Sequence, residues 1–141
     1  MKRSIPSICV CLLLLAASAC TSHGSGPRLQ VDVPSGFAGD FVLEMGVRDA
    51  PPLAKDGNSY VVSVPRNGKL ETSTLLEKPS VTFKNKSGGG IWGFSQSIFT
   101  TGDGISVGGR IEFFVGTQKE FDAEQVKKNH SRDFHLQDSQ A

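Results

Sequence analysis

Residues Asp40–Val47 read DFVLEMGV, and their spacing decides the fold class. Phe41, Leu43, Met45 and Val47 recur at a period of two, which in an extended chain sets all four on one face while Val42, Glu44 and Gly46 point the other way. The stretch reads as a strand with one face in a core.

Outward from it the pattern repeats. Upstream, LQVDV (29–33) alternates with Leu29, Val31 and Val33 on one side, and PSG then supplies a turn. Downstream, RDAPPLAKDGN (48–58) interrupts, because Pro51 and Pro52 remove two ladder donors and fix φ. YVVSV (60–64) resumes with Tyr60, Val62 and Val64. PRNG (65–68) reads as a hairpin turn, since Asn67 and Gly68 tolerate positive φ, and KLETSTLL (69–76) as the strand that returns. SVTF (80–83), IWGFSQSIF (91–99) and RIEFFVG (110–116) read as further strands around the breaks KSGGG, TGDG and VGG. Six or more short strands at turn spacings predict an all-β chain, a β-sandwich such as the immunoglobulin type.

Thr117 followed three residues later by Glu120 is a capping box, and it opens one short C-terminal surface helix, QKEFDAEQVKKN (118–129). Its apolar content, Phe121, Ala123 and Val126, is too thin for a core helix. Residues 129–141 form a polar tail expected to be disordered, so the sandwich is assigned to 29–128.

The other end of the chain reads MKRSIPSICVCLLLLAASACTSHGSG. Lys2 and Arg3 precede an apolar run from Ile8 to Ala17, and small residues lead into Cys20, the three-part layout of a secretory signal over 1–19. Ten residues make a helix of about 15 Å, half the roughly 30 Å of a hydrocarbon core, so the run does not span a bilayer. LAASAC is similar to the lipobox of bacterial lipoproteins, which implies cleavage between Ala19 and Cys20 and acylation of Cys20. Ala17 departs from the Leu more usual there. Cleavage by an ordinary signal peptidase, leaving a soluble secreted protein, is the alternative. Residues 20–28 then form the lipidated tether. Thr21, where some Gram-negative sorting signals have Asp, favours the outer membrane, facing the periplasm.

Composition narrows the function. Residues 20–141 suffice for one domain with a core. The signal removes Cys9 and Cys11, so the mature chain keeps only Cys20 and forms no internal disulfide. It also removes Lys2 and Arg3 from the 15 basic residues, leaving the mature chain one short of the 14 acidic ones. A near-neutral chain without basic clusters gives no electrostatic reason to bind nucleic acid.

The chemical motifs have structural explanations. GISVG fits G-x-S-x-G with Ser106 in the nucleophile position, but a nucleophile elbow needs a helix after the serine and here a strand is expected. His23, His130 and His135 lie in the tether and tail, poor places for a metal needing three or four ligands held at about 2 Å. KDGN and TGDG carry single turn carboxylates, too few for calcium. KSGGGIWG lacks the patterns that cradle phosphate at a helix start and reads as a flexible loop leading to a packed Trp92. Pro51, Pro52 and Leu53, with Trp92, are the candidate contact surface, since a proline-rich loop is already stiff and loses little entropy on binding.

The series VPSGFAGDFVLEMGVRDAPPL, VPRNGKLETST, GIWGF and IEFFVGTQKEF resembles a bacterial domain found mostly in predicted secreted proteins and lipoproteins, over about Val33 to Phe121. Ala54 and Asp40 depart from its pattern. The resemblance implies a weakly transthyretin-like sandwich and brings no activity and no catalytic residues. The expectation is a lipid-anchored envelope protein of binding or structural role, without catalytic residues, cofactor or metal, held to the membrane through Cys20 and meeting an envelope protein partner. A small envelope hydrolase with a site assembled from loops is the alternative.

Overall fold

The computed structural model describes residues 26–138 except 101 and 103. The signal, Cys20, His23 and the tether as far as residue 25 lie outside the described residues, as do two residues of the TGDG turn. Eight strands and one helix follow in order: β1 Arg28–Val33, β2 Gly39–Met45, β3 Ala54–Asp56, β4 Ser59–Ser63, β5 Lys69–Thr72, β6 Ser80–Asn85, β7 Gly90–Thr100, β8 Val107–Gly116 and α1 Gln118–Asp138. They build two four-stranded sheets, β3-β4-β1-β6 and β5-β2-β8-β7, so the fold is the expected all-β sandwich with a C-terminal helix.

The alternation at 40–47 does what its period demands. Phe41, Leu43 and Met45 point inward and are buried with Leu29, Val31 and Val33 of β1, Val62 of β4, and Ile111, Phe113 and Val115 of β8. Phe41 sits 5.0 Å from Phe113, which meets Phe83 edge-on at 5.1 Å, and Phe83 meets Phe94 edge-on at 5.8 Å. This line of rings ties β2 and β8 to β6 and β7 across the two sheets. The strand ends at Met45, short of Val47, because Gly46 turns the chain at φ +74 with Val107 O against it, a position a side chain would not fit.

Outside two local hairpins the chain crosses between the sheets at each connection, and three of its strands return parallel to one another in one sheet. β1 is flanked by β4 and β6, both parallel to it, and β5 runs parallel to β2. This corrects the reading of PRNG as a hairpin. Pro65 O accepts from Gly68 N at 2.9 Å, but of the turn residues only Gly68 has positive φ (+69), whereas a two-residue hairpin of the favoured type needs it at both central positions. The turn instead hands the chain to the other sheet, where Gly68 O accepts from Val42 N. The true local hairpins are β3-β4 and β7-β8. The first closes through Gly57 and Asn58 in the segment read as an interruption.

VGG is also corrected: it lies inside β8, with Gly108 and Gly109 buried. Phe99 covers Gly108, and the side chains of Met45, Leu75 and Ile98 close over Gly109, so these glycines make room for neighbours rather than turns. The loop after β6 is no open glycine run either. Asn85 Nδ2 donates to Gly89 O at 2.7 Å, and Asn85 Oδ1 accepts from Ser87 N at 3.0 Å.

The capping box forms as read. Thr117 N donates to Glu120 Oε2 at 2.8 Å and Glu120 N donates to Thr117 Oγ1 at 3.3 Å. α1 then runs to Asp138, past the expected end near Asn129 and into the stretch expected to be disordered, since no Gly or Pro interrupts Thr117–Asp138. Its first turns pack on sheet β5-β2-β8-β7, Phe121 stacking on Trp92 at 6.5 Å and meeting Phe114 at 5.8 Å.

The backbone and side-chain hydrogen bonds from Thr117 hold the exposed Glu120 carboxyl below its ordinary pKa. A depressed folded pKa means that the cap contributes in full above the unfolded value and is lost as pH falls through the lowered one. Acid titration of helical circular dichroism should therefore show a step in the carboxylate range that is missing in Glu120→Gln. Identical acid curves for the two proteins would remove the carboxylate from this role.

Candidate binding surface

The β7-β8 hairpin is longer than anything beside it. β7 has 11 residues and β8 has 10, against 7 in β2 and 6 in β6. Met45, the last residue of β2, is in register with Gly109, and Gly109 with Ile98. Beyond that row Phe99↔Gly108 and Thr100↔Val107 pair with each other alone. A hairpin that overruns its sheet loses the neighbours that would cover its side chains, and these side chains are apolar. Ile98 and Phe99 are each 44% exposed, Val107 43% and Ile105 88%.

A register shift between Trp92 and Ser95 sets which face each residue takes. After it, Phe94, Gln96 and Ile98 face the other sheet, while Ser95, Ser97 and Phe99 face outward beside Glu112, Arg110 and Gly108. Phe94 and Ile98 look inward yet stay half exposed, because β6 covers only part of β7.

Two hollows flank the overrun. One of about 430 Å³ lies between the β2 end and Phe99, lined by Glu44, Met45, Val47, Arg48, Ser106 and Gly108 among others. The second, about 200 Å³, lies on the inner side between Ile98, Gln96, Met45, Leu76 and Lys78. Each joins apolar walls to one cation, Arg48 or Lys78. A third hollow of about 250 Å³ between α1 and the sheet is more polar. Its charges pair with one another: Lys128 with Asp40 at 2.9 Å, and Arg110 with Glu112 at 3.2 Å.

The residues expected to form a contact surface are not brought together. Trp92 is in register with Phe114, and Phe114 with Asp40, near the start of β2. Pro51 O accepts from Thr72 Oγ1 at 2.8 Å, and Thr72 pairs with Met45 at the far end of the same strand. Trp92 is half-buried, donates Nε1–H to Gly116 O at 3.0 Å and carries Phe121 on its face, so its partner here is the chain's own helix. Pro51 and Pro52 are exposed, while Leu53 packs against the core. Their loop is braced: Leu53 N donates to Thr74 Oγ1 at 3.0 Å, and Thr72 is 1% exposed.

Ser106 lines the larger hollow with Glu44 and Arg48, and it leads into β8 rather than a helix, so the strand-turn-helix elbow is not built around it. His130 sits exposed on α1 with Nδ1 3.0 Å from Val126 O. Among the described residues, no group of three or more His, Cys, Asp or Glu side chains gathers as metal ligands, and no helix is long and apolar enough to cross a membrane.

No family model matches the chain, and a search of curated proteins finds no match. One solved structure is similar. It is a crystal structure of a proposed lipoprotein from Bacillus anthracis, 21% identical, with a TM-score of 0.49, covering 64% of this chain and 70% of that one.

The overrun escaped the sequence reading, which took IWGFSQSIF (91–99) only as a further strand. Its signal is SIFTTGDGISV (97–107), where apolar pairs flank a polar turn on both sides. That pattern marks the hairpin. How far the hairpin outruns β2 and β6 is a property of the partners and is not written in the stretch itself.

Proposed function

We propose that the chain is an exported protein of the cell envelope, lipid-anchored through Cys20 after cleavage behind Ala19, and that it works by contact rather than by turnover. The observation that carries the reading is the apolar overrun of the β7-β8 hairpin, since contiguous exposed apolar surface marks interaction sites in folded proteins. The signal layout and LAASAC support the anchor, and the resemblance of the APPL, VPRNGKLETST and FFVGT stretches to a domain of secreted proteins and lipoproteins agrees with it. Thr21 favours the outer membrane, facing the periplasm. The Pro51–Leu53 loop, stiffened by Thr72, is a second surface suited to an envelope protein partner.

A hydrolase is the other reading, and the observation in its favour is Ser106 in the larger hollow beside Glu44. Intact mass of protein extracted from cells, before and after treatment with a fluorophosphonate, separates the two. The expected mass starts at Cys20 with acyl chains attached and gains no adduct. Retention of Met1 or a bare Cys20 would sink the anchor, and an adduct at Ser106 would sink the contact role.

A further inference from the structure

We propose that the end of the β7-β8 hairpin is a second membrane contact, inserting Ile105 and its apolar neighbours into the interfacial layer of the same leaflet that holds the acylated Cys20. The proposal rests on the lipid-anchor reading and deepens it.

The geometry starts from where the chain joins the sandwich. Pro27 O accepts from Ser80 N at 2.8 Å, and a Cβ on Gly26 would lie 2.5 Å from Lys78 O, so the tether leaves beside the start of β6. Lys78 lines one hollow with Ile98, and Gln96 Nε2 donates to Pro79 O at 3.3 Å, which sets Gln96 level with that start. β7 runs opposite to β6, its first residues beside Asn85 and its Phe94 against Phe83. The strand therefore continues past Gln96 in the direction in which the tether departs. Four more strand residues, Ser97–Thr100, advance it by about 13 Å at roughly 3.3 Å per residue.

The tether has a matching length. Residues 21–26 read TSHGSG, and a Gly/Ser-type linker of six residues has an r.m.s. span of about 13 Å. A tether of that length lets an acylated Cys20 share a plane with the hairpin end. The end that meets it is apolar: Ile105 is 88% exposed, and Phe99, Ile98 and Val107 are each more than two-fifths exposed. The stretch 97–110 contains one acidic residue, Asp103, and Lys78 borders the apolar patch from the inner hollow, where it suits anionic headgroups, while Arg48 shares the other hollow with Glu44. Lipid is the occupant favoured over a second copy because the chain enters the sandwich, at Gly26 and Pro27, at the end that carries the patch.

The test uses the full chain expressed with Ile105→Cys, which changes an almost fully exposed side chain and so leaves folding intact. Ser35→Cys, in the turn after β1 at the opposite end, is its control. Each thiol carries an environment-sensitive fluorophore, and the protein is reconstituted into vesicles of phosphatidylethanolamine and phosphatidylglycerol with doxyl-labelled lipid. A blue shift and loss of emission through doxyl quenching at 105, with neither at 35, is expected. Co-flotation with acyl mass on Cys20 but an aqueous probe at 105 overturns the second contact and leaves the anchor standing. Flotation with quenching at 105 but no acyl mass supports the hairpin contact and overturns the anchor. A blue shift at 105 without doxyl quenching means burial against protein and overturns the lipid assignment. Failure to float overturns the hairpin contact, and the mass then reports on the anchor separately.

Discussion

Phe41→Ala is expected to cost about 3–5 kcal/mol of folding stability, the range for deleting a ring from a packed core. Phe41 is 0% exposed, and its ring contacts Phe113 at 5.0 Å in the layer where β2 and β8 meet β1. The loss has two parts: transfer of the ring to water, and a cavity that the rigid frame of two sheets cannot close. A domain of this size typically has about 5–15 kcal/mol in all, so the variant stands near the edge of folding. Without a disulfide in the sandwich, no covalent link offsets that loss. Glu44→Ala, three residues along on the outer face of the same strand, should stay within about 0.5 kcal/mol. Urea midpoints at unchanged slope measure both. Equal midpoints for the two variants would mean that the inward face of β2 is not the centre of the core.

That prediction was available from DFVLEMGV alone, which shows what kind of information the sequence carries well. Alternation within one strand is local, and so are a capping box and a pair of prolines; β1, β2, β4 and the start of α1 could all be read without knowing their neighbours. Pairing is not local. PRNG has hairpin residues, yet its chain crosses to the other sheet, because Leu70 and Thr72 find their inward places beside Leu43 and Met45. Gly108 and Gly109 look like a turn until Phe99, Met45 and Ile98 need the space above them. The candidate surface was hidden for the same reason. Phe99 sits in an apolar strand pattern in the sequence, and it is exposed because it faces outward on a hairpin that goes on after β2 stops opposite Gly109.

Cys20→Ser is expected to abolish stable membrane retention, the largest effect any single substitution should have on where the protein resides. The proposed anchor is a thioether at Cys20 together with acyl chains, each contributing about 0.8 kcal/mol per buried methylene. A serine oxygen cannot take the sulfur's place in that chemistry, so all of this attraction goes at once. The hairpin end does not rescue it: one weak insertion without a second signal gives marginal, reversible binding. The variant should accumulate as uncleaved precursor starting at Met1 or appear in the soluble envelope fraction, whereas wild type should resist a carbonate wash. Its fold should not change, because β1 begins only at Arg28 and the core residues among the described ones start at Leu29. An ordinary signal cut behind Ala19 makes the opposite forecast, since serine and cysteine would then be equivalent and both proteins soluble. Matching fractionation and matching processed mass for the two proteins would decide for that alternative, and the apolar hairpin would then need a protein partner to cover it.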